Sequence, residues 1–243
     1  MRPRGFVLFL LILLPLTAQA WTPAADARIA KKGADLAPPD LRMLIERFDA
    51  DYRRGLERAR QEESAENGTH REQRLRERLE RETVSIATAI RKGDPMPTIV
   101  ERLGGLAHLV ADANNPFHAK SDDARLTSSQ DDYERYFERR MPKFPTVFYG
   151  LDRNFRLSGY LDKTFARSRK FYPLVGEEYF RTGKRRSSAE FDDRSTAFAI
   201  ASISYSRAVT DLVNLYYFIW KEAGGDVRSA AVMRDGNLRR NAD

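Results

Sequence analysis

The sequence predicts an all-α protein, a single-domain bundle of several helices. Apolar residues recur at three- and four-residue intervals along most of the chain, alternating strand patterns are scarce, and proline, glycine and asparagine signals separate the periodic stretches. At the start, Arg2 and Arg4 precede an apolar run from Phe6 to Leu16, and Ala18-Gln19-Ala20 forms a small-x-small site. That order predicts a signal peptide over 1–20, cut between Ala20 and Trp21, and a secreted or periplasmic protein. The run falls short of the ~20 apolar residues that span a bilayer. Removing the first 20 of 243 residues leaves 223, enough for one domain over 21–243.

Pro38-Pro39-Asp40 precedes Leu41, Leu44, Ile45 and Phe48, whose spacing predicts an amphipathic helix running to about Arg60. Gln61 to Thr69 is polar, contains the turn signal Asn67-Gly68 and reads as a loop; Asn67-Gly68-Thr69 also fits a glycosylation acceptor. Arg71 to Arg91 is crowded with Arg and Glu, with Leu75, Leu79, Val84, Ile86 and Ile90 on the apolar side, which predicts a long solvated helix. Gly93 to Pro97 breaks that pattern. A new helix is predicted from Thr98 to Asn114, closed by Asn115-Pro116, and another from Gln130 to Arg140. Phe144 to Gly183, interrupted by Pro145, Gly150, Gly159 and Pro173, reads as short helices and loops. Ser188 to Ala223 reads as one helix with Phe198, Ile200, Ile203, Ala208, Leu212, Leu215 and Ile219 facing the core.

The chain has no cysteine, so an exported form must be held by packing or by metal rather than by disulfides. The formal charge of +7 falls to +5 without Arg2 and Arg4, and the charges are mixed rather than gathered in one block. This leans towards an anionic partner such as a phospholipid surface or nucleic acid, and the charge alone suits a merely soluble basic protein as well. Lys184-Arg185-Arg186, near Tyr179 and Phe180, could touch phosphate or form a solvated turn. A Gly-x-Ser-x-Gly motif and a phosphate-binding Gly-rich loop are both absent from the sequence.

His108 and Asp112 are four apart on a predicted helix, so both side chains share one face and can grip one cation. The same spacing also suits an ordinary surface pair. His118 follows just past Asn115-Pro116, where a turn can return its imidazole to that face. The chain contains three histidines in all, and two of them lie here.

His108, Asp112, Pro116 and His118, approached through Leu103-Gly104-Gly105-Leu106-Ala107 and joined to a mature N-terminal Trp21, resemble the family of zinc-dependent phospholipases C and single-strand-specific nucleases. The resemblance covers Trp21 to about Phe137. It implies an all-α fold that binds up to three zinc ions and hydrolyses phosphodiesters by metal-activated water. It further implies ligand roles for the Trp21 amine and carbonyl, His70, His108, Asp112 and His118, with Asp112 also essential to catalysis. Asp26 stands where the family places a histidine, Glu57 or nearby Glu63 where it places an aspartate, and Glu134 where it places a carboxylate; Gln130 replaces the histidine four residues before Glu134. Phospholipid is the substrate this implies first and single-stranded nucleic acid the alternative. The altered positions leave open a non-catalytic scaffold with a reduced zinc site.

Overall fold

Thr22-Pro23 starts the first helix, α1 (Pro23–Asp35), for which the periodicity argument makes no provision; Thr22 caps it by accepting from the Ala25 amide at 3.4 Å. The computed structural model describes residues 21–64, 71–118, 126 and 128–227, with 63, 64 and 71 described in backbone only. The expected leader at 1–20, His70 and the Asn67-Gly68-Thr69 acceptor lie outside the described residues. Among the described residues seven further α-helices follow: α2 (Pro39–Arg47), α3 (Asp49–Ser64), α4 (Arg71–Lys92), α5 (Met96–Ala113), α6 (Gln130–Arg140), α7 (Leu157–Phe180) and α8 (Thr196–Glu222). Among the described residues there is no strand, and the molecule is an all-α bundle.

Helices α1, α5 and α8 pack on one another and form the interior. Both α5 and α8 are buried on nearly every side, as expected of helices whose apolar residues do not keep to one stripe. One apolar cluster gathers α2 to α5 around Leu79, Leu103, Val110, Leu212 and Tyr216. A second, largely aromatic, gathers Trp21, Tyr133, Tyr136, Phe137, Tyr179 and Tyr205. The seam between them runs along the interior helices: Ile29 and Ala30 on α1, Ala111 and Val110 on α5, and Val209 and Leu212 on α8 fall on opposite sides of it.

The most extensive helix pair is α3 against α5, and glycine makes it possible. A methyl group added at Gly104 would lie 1.9 Å from the Tyr52 carbonyl oxygen, and one at Gly55 would lie 1.7 Å from that of Glu101. Backbone therefore meets backbone at this crossing. The exposed side of the pair carries ion pairs from Arg54 and Arg58 to Glu101.

Several sequence expectations are corrected. The helix expected from Pro38 to Arg60 is two helices, broken at Phe48 (φ −113°, ψ 36°), because Asp49 starts a new turn directed along α5. Within 144–183, α7 runs unbroken through Pro173, because residues on both sides of it, from Leu161, Phe165 and Tyr172 to Val175 and Tyr179, keep one buried face. That burial outweighs the ~3 kcal/mol cost of an interior proline. The last helix starts at Thr196, capped by Ser195, after a separate turn Ser188–Glu190 closed by a capping box. Val84 and Ile203 are exposed; Thr83 takes the buried place on α4 and bonds the Leu79 carbonyl.

Residues 144–156 form a strap without helix laid along α8. Ser206, Thr210 and Asn214, one turn apart, supply what a neighbouring strand would. Their side chains accept from the amides of Val147 (3.2 Å), Tyr149 (3.1 Å) and Asp152 (2.8 Å), and Ser206 and Asn214 donate to the carbonyls of Pro145 and Gly150.

Candidate metal centre

The helical period of α5 places Gly104, His108 and Asp112 on one side of the helix, and α1 brings Asp26, in its first turn, against the same place. His108 Nδ1 lies 2.8 Å from Asp26 Oδ2, and His108 Nε2 lies 3.6 Å from Asp112 Oδ2. All three side chains are buried to within 1%. Among the described residues these three can each offer one ligand atom within 4.8 Å of the others, a group that could hold a metal ion.

The Asn-Pro turn acts as the sequence suggests. The Asn115 amide bonds the Asp112 carbonyl (2.9 Å), the Asn115 side chain takes the Phe117 amide (3.0 Å), and the turn Pro116–His118 brings His118 Nδ1 to 3.4 Å from Asp112 Oδ2. His118 stands outside the group of three yet reaches the same carboxylate oxygen. Its other nitrogen faces α6, with Glu134 Oε1 at 3.9 Å and Gln130 Nε2 at 3.4 Å. Gln130 also donates to Glu134 Oε1 at 2.8 Å.

The donor set fits a small hard or borderline cation. Ligands bound to zinc at ~2.0–2.1 Å in a tetrahedron stand ~3.4 Å apart. The imidazole-to-carboxylate separations at Asp112, 3.6 and 3.4 Å, match that edge, and both exceed an ordinary N–H···O bond. The 2.8 Å contact between Asp26 and His108 is shorter, the length of a hydrogen bond that fixes the ring and turns Nε2 towards Asp112.

Trp21 is buried at the edge of this group. Its indole N–H donates to the carbonyl of Ala111, the residue before Asp112, at 2.8 Å, and its ring lies 3.9 Å from that of Phe137. Close by, the buried Tyr133 phenol finds no hydrogen-bond partner among the described residues, and burial pushes its ionisation far up. Glu57 lies on the exposed face of α3 and accepts from Arg60 and Gln61; those bonds, Arg60 first, hold its carboxyl below the usual range. It stands apart from the buried group of three.

A second buried polar knot escapes the sequence reading. Asp211, on α8, accepts from Tyr160 (2.7 Å), Thr164 (3.0 Å), Arg167 (2.5 Å) and Asn114 (3.0 Å). Its one sequence signal is an aspartate set beside the apolar run Leu212 to Trp220. The basic cluster at 184–186 is turned inward in part: Arg186 pairs with Glu178 and Glu190, and Arg185 donates to the Ser128 carbonyl.

Fold and site together define an all-α protein with a buried carboxylate–imidazole group suited to a cation. No protein-family model matches the chain, and neither a characterised protein nor a solved structure matches it.

Proposed function

We propose that the chain is an exported zinc-dependent phosphodiester hydrolase of the phospholipase C type, acting on phospholipid. The observation that carries the reading is the Asp112 carboxylate, approached by His108 and His118 at the spacing of co-ligands. His108 Nε2, His118 Nδ1 and Asp112 would hold zinc, while Asp26 fixes the tautomer and orientation of His108 from behind. The Trp21 indole, anchored one residue before Asp112, supports a place for its backbone amine and carbonyl at the same site. Zinc bound there supplies Lewis acidity towards a phosphoryl oxygen and makes water acidic enough to attack near neutral pH. The aromatic cluster behind Trp21 keeps bulk water from the ligands and so strengthens every charge interaction among them.

A non-catalytic scaffold with a structural metal is the second reading, favoured by the two altered positions. Asp26 is engaged in a hydrogen bond to His108, and Gln130 in one to Glu134, where additional ligands would be needed for further ions. The test is elemental analysis of the processed chain, its N-terminus checked by mass, followed by hydrolysis assays on phosphatidylcholine and on single-stranded DNA. Two or more zinc ions per chain, with phospholipid turnover abolished in Asp112→Asn, support the hydrolase. One ion without turnover supports the scaffold, and no bound metal overturns both.

A further inference from the structure

Between the strap, α7 and α8 lies an open cleft of ≈ 220 Å³ whose lining includes Tyr149, Asp152, Lys163, Arg167, Arg207 and Asp211. Its charges are unevenly answered. Asp211 is bonded by four donors, and Arg167 is committed to Asp211 and Asn114 through Nη2. Asp152 accepts the Asn154 amide and faces Lys163 at 3.9 Å, a loose pair with Lys163 largely exposed.

Arg207 differs from all of these. It makes no ion pair or hydrogen bond among the described residues, and its Nε is buried without an acceptor. Its guanidinium carbon lies over the Tyr149 ring, 3.6 Å from the centroid. A cation–π contact holds a guanidinium in place but leaves its edge N–H groups unsatisfied, and a half-buried cation without a counter-charge is costly.

We infer that this cleft binds a phosphate-class oxyanion, with the edge of Arg207 as its principal donor and Lys163 at the mouth. A tetrahedral anion can accept from a guanidinium edge and, through a further oxygen on another side, from an ammonium at once. The Tyr149 ring presets the guanidinium, so little rotamer freedom is lost on binding. Val147, Phe148 and Tyr149 are all exposed by about two-fifths beside the cleft. The anion can therefore be a soluble phosphate ester or a lipid headgroup presented with its membrane. The inference does not rest on the metal centre, since none of the cleft's side chains belongs to it.

The test is isothermal titration of the full chain with inorganic phosphate, in the zinc-loaded and the chelator-stripped protein, with acetate as the control. Phosphate should bind in both metal states, more tightly than acetate, and about tenfold more weakly in Arg207→Gln. Lys163→Gln, at an exposed position, should weaken it less and keep the fold; it decides the matter should Arg207→Gln fail to fold. Flotation with phosphatidate and phosphatidylcholine vesicles separates the two sources. Capture by phosphatidate that is lost in Arg207→Gln assigns a headgroup; binding of free phosphate without capture assigns a soluble ester. Phosphate binding confined to the zinc-loaded protein, binding unchanged in both variants, or no binding and no capture would overturn the inference.

Discussion

Replacing Gly104 by alanine tests the packing that positions the candidate metal ligands. The new methyl would stand 1.9 Å from the Tyr52 carbonyl oxygen, so α3 and α5 would have to separate by about 1.5 Å to restore ordinary contact. The obstacle is backbone, which cannot swing aside as a side chain can. Overpacking of this kind costs ~3 kcal/mol, and the better helix propensity of alanine returns ~1 kcal/mol, leaving a net loss of ~2 kcal/mol. For a domain of this size that lowers the melting temperature by ~4–8 °C. Gly105 supplies the control: a methyl there meets only the Gly55 carbonyl at 3.6 Å and Ala59 at 3.7 Å, which is ordinary contact. Gly105→Ala should be neutral or gain up to ~1 kcal/mol. Because His108 and Asp112 follow Gly104 by one and two turns on the same side of α5, the displaced helix should also bind zinc about tenfold more weakly, whereas Gly105→Ala should not. Urea denaturation followed by circular dichroism, together with zinc titration, reads both effects. Equal stability of the two variants would refute the backbone-contact argument.

Other consequences are independent of that crossing. Asp112→Asn should remove most zinc binding, and the zinc-dependent part of the melting temperature with it; an unchanged metal content would sink the ligand assignment. Asp211→Asn leaves Arg167 without its buried counter-charge and should cost about 3 kcal/mol in urea denaturation without changing zinc content. Tyr52→Phe removes a hydroxyl bonded to the Ala30 carbonyl (3.1 Å) and to Tyr216 (2.7 Å), and should cost ~1–2 kcal/mol. Burial raises the ionisation of Tyr52, Tyr133, Tyr160, Tyr179 and Tyr216. A raised folded value means that their contribution is fully present below the unfolded value of ~10 and is lost as pH climbs above it. Tyrosinate absorbance from these five should therefore appear together with unfolding in alkali, and smooth titration of every tyrosine in the folded state would contradict it.

Much of this was legible in the sequence because it is local. The helical period alone puts His108 and Asp112 on one face, and the Asn115-Pro116 turn returns His118 to them. Helix α6 runs from Gln130 to Arg140 as its pattern predicts. What escaped depends on partners distant in sequence. The strap has no strand periodicity, because its amides bond side chains of α8 about 60 residues away. Arg167 and Asp211 lie 44 residues apart in sequence, and only the packing of α7 on α8 makes them a buried pair. Helix α7 was obscured by Pro173 and the glycines near it, whose local cost is overcome by burial that no local pattern reports. Asp26 stood out only by its distance from Trp21, and its bond to His108 needs the contact of α1 with α5.

The two buried aspartates on the interior helices show how differently one chain can accommodate a carboxylate. At Asp211 the protein closes in with a guanidinium, two hydroxyls and an amide, all at 2.5–3.0 Å, which are the lengths of direct hydrogen bonds. Nothing need be added there, and the knot fastens α5, α7 and α8 together. At Asp112, fully buried, both imidazoles approach the same oxygen at 3.4 and 3.6 Å, longer than the contacts at Asp211. The spacing suits ligands of a shared cation, and Asp26, bonded to the far nitrogen of His108, holds the ring in the orientation that keeps it.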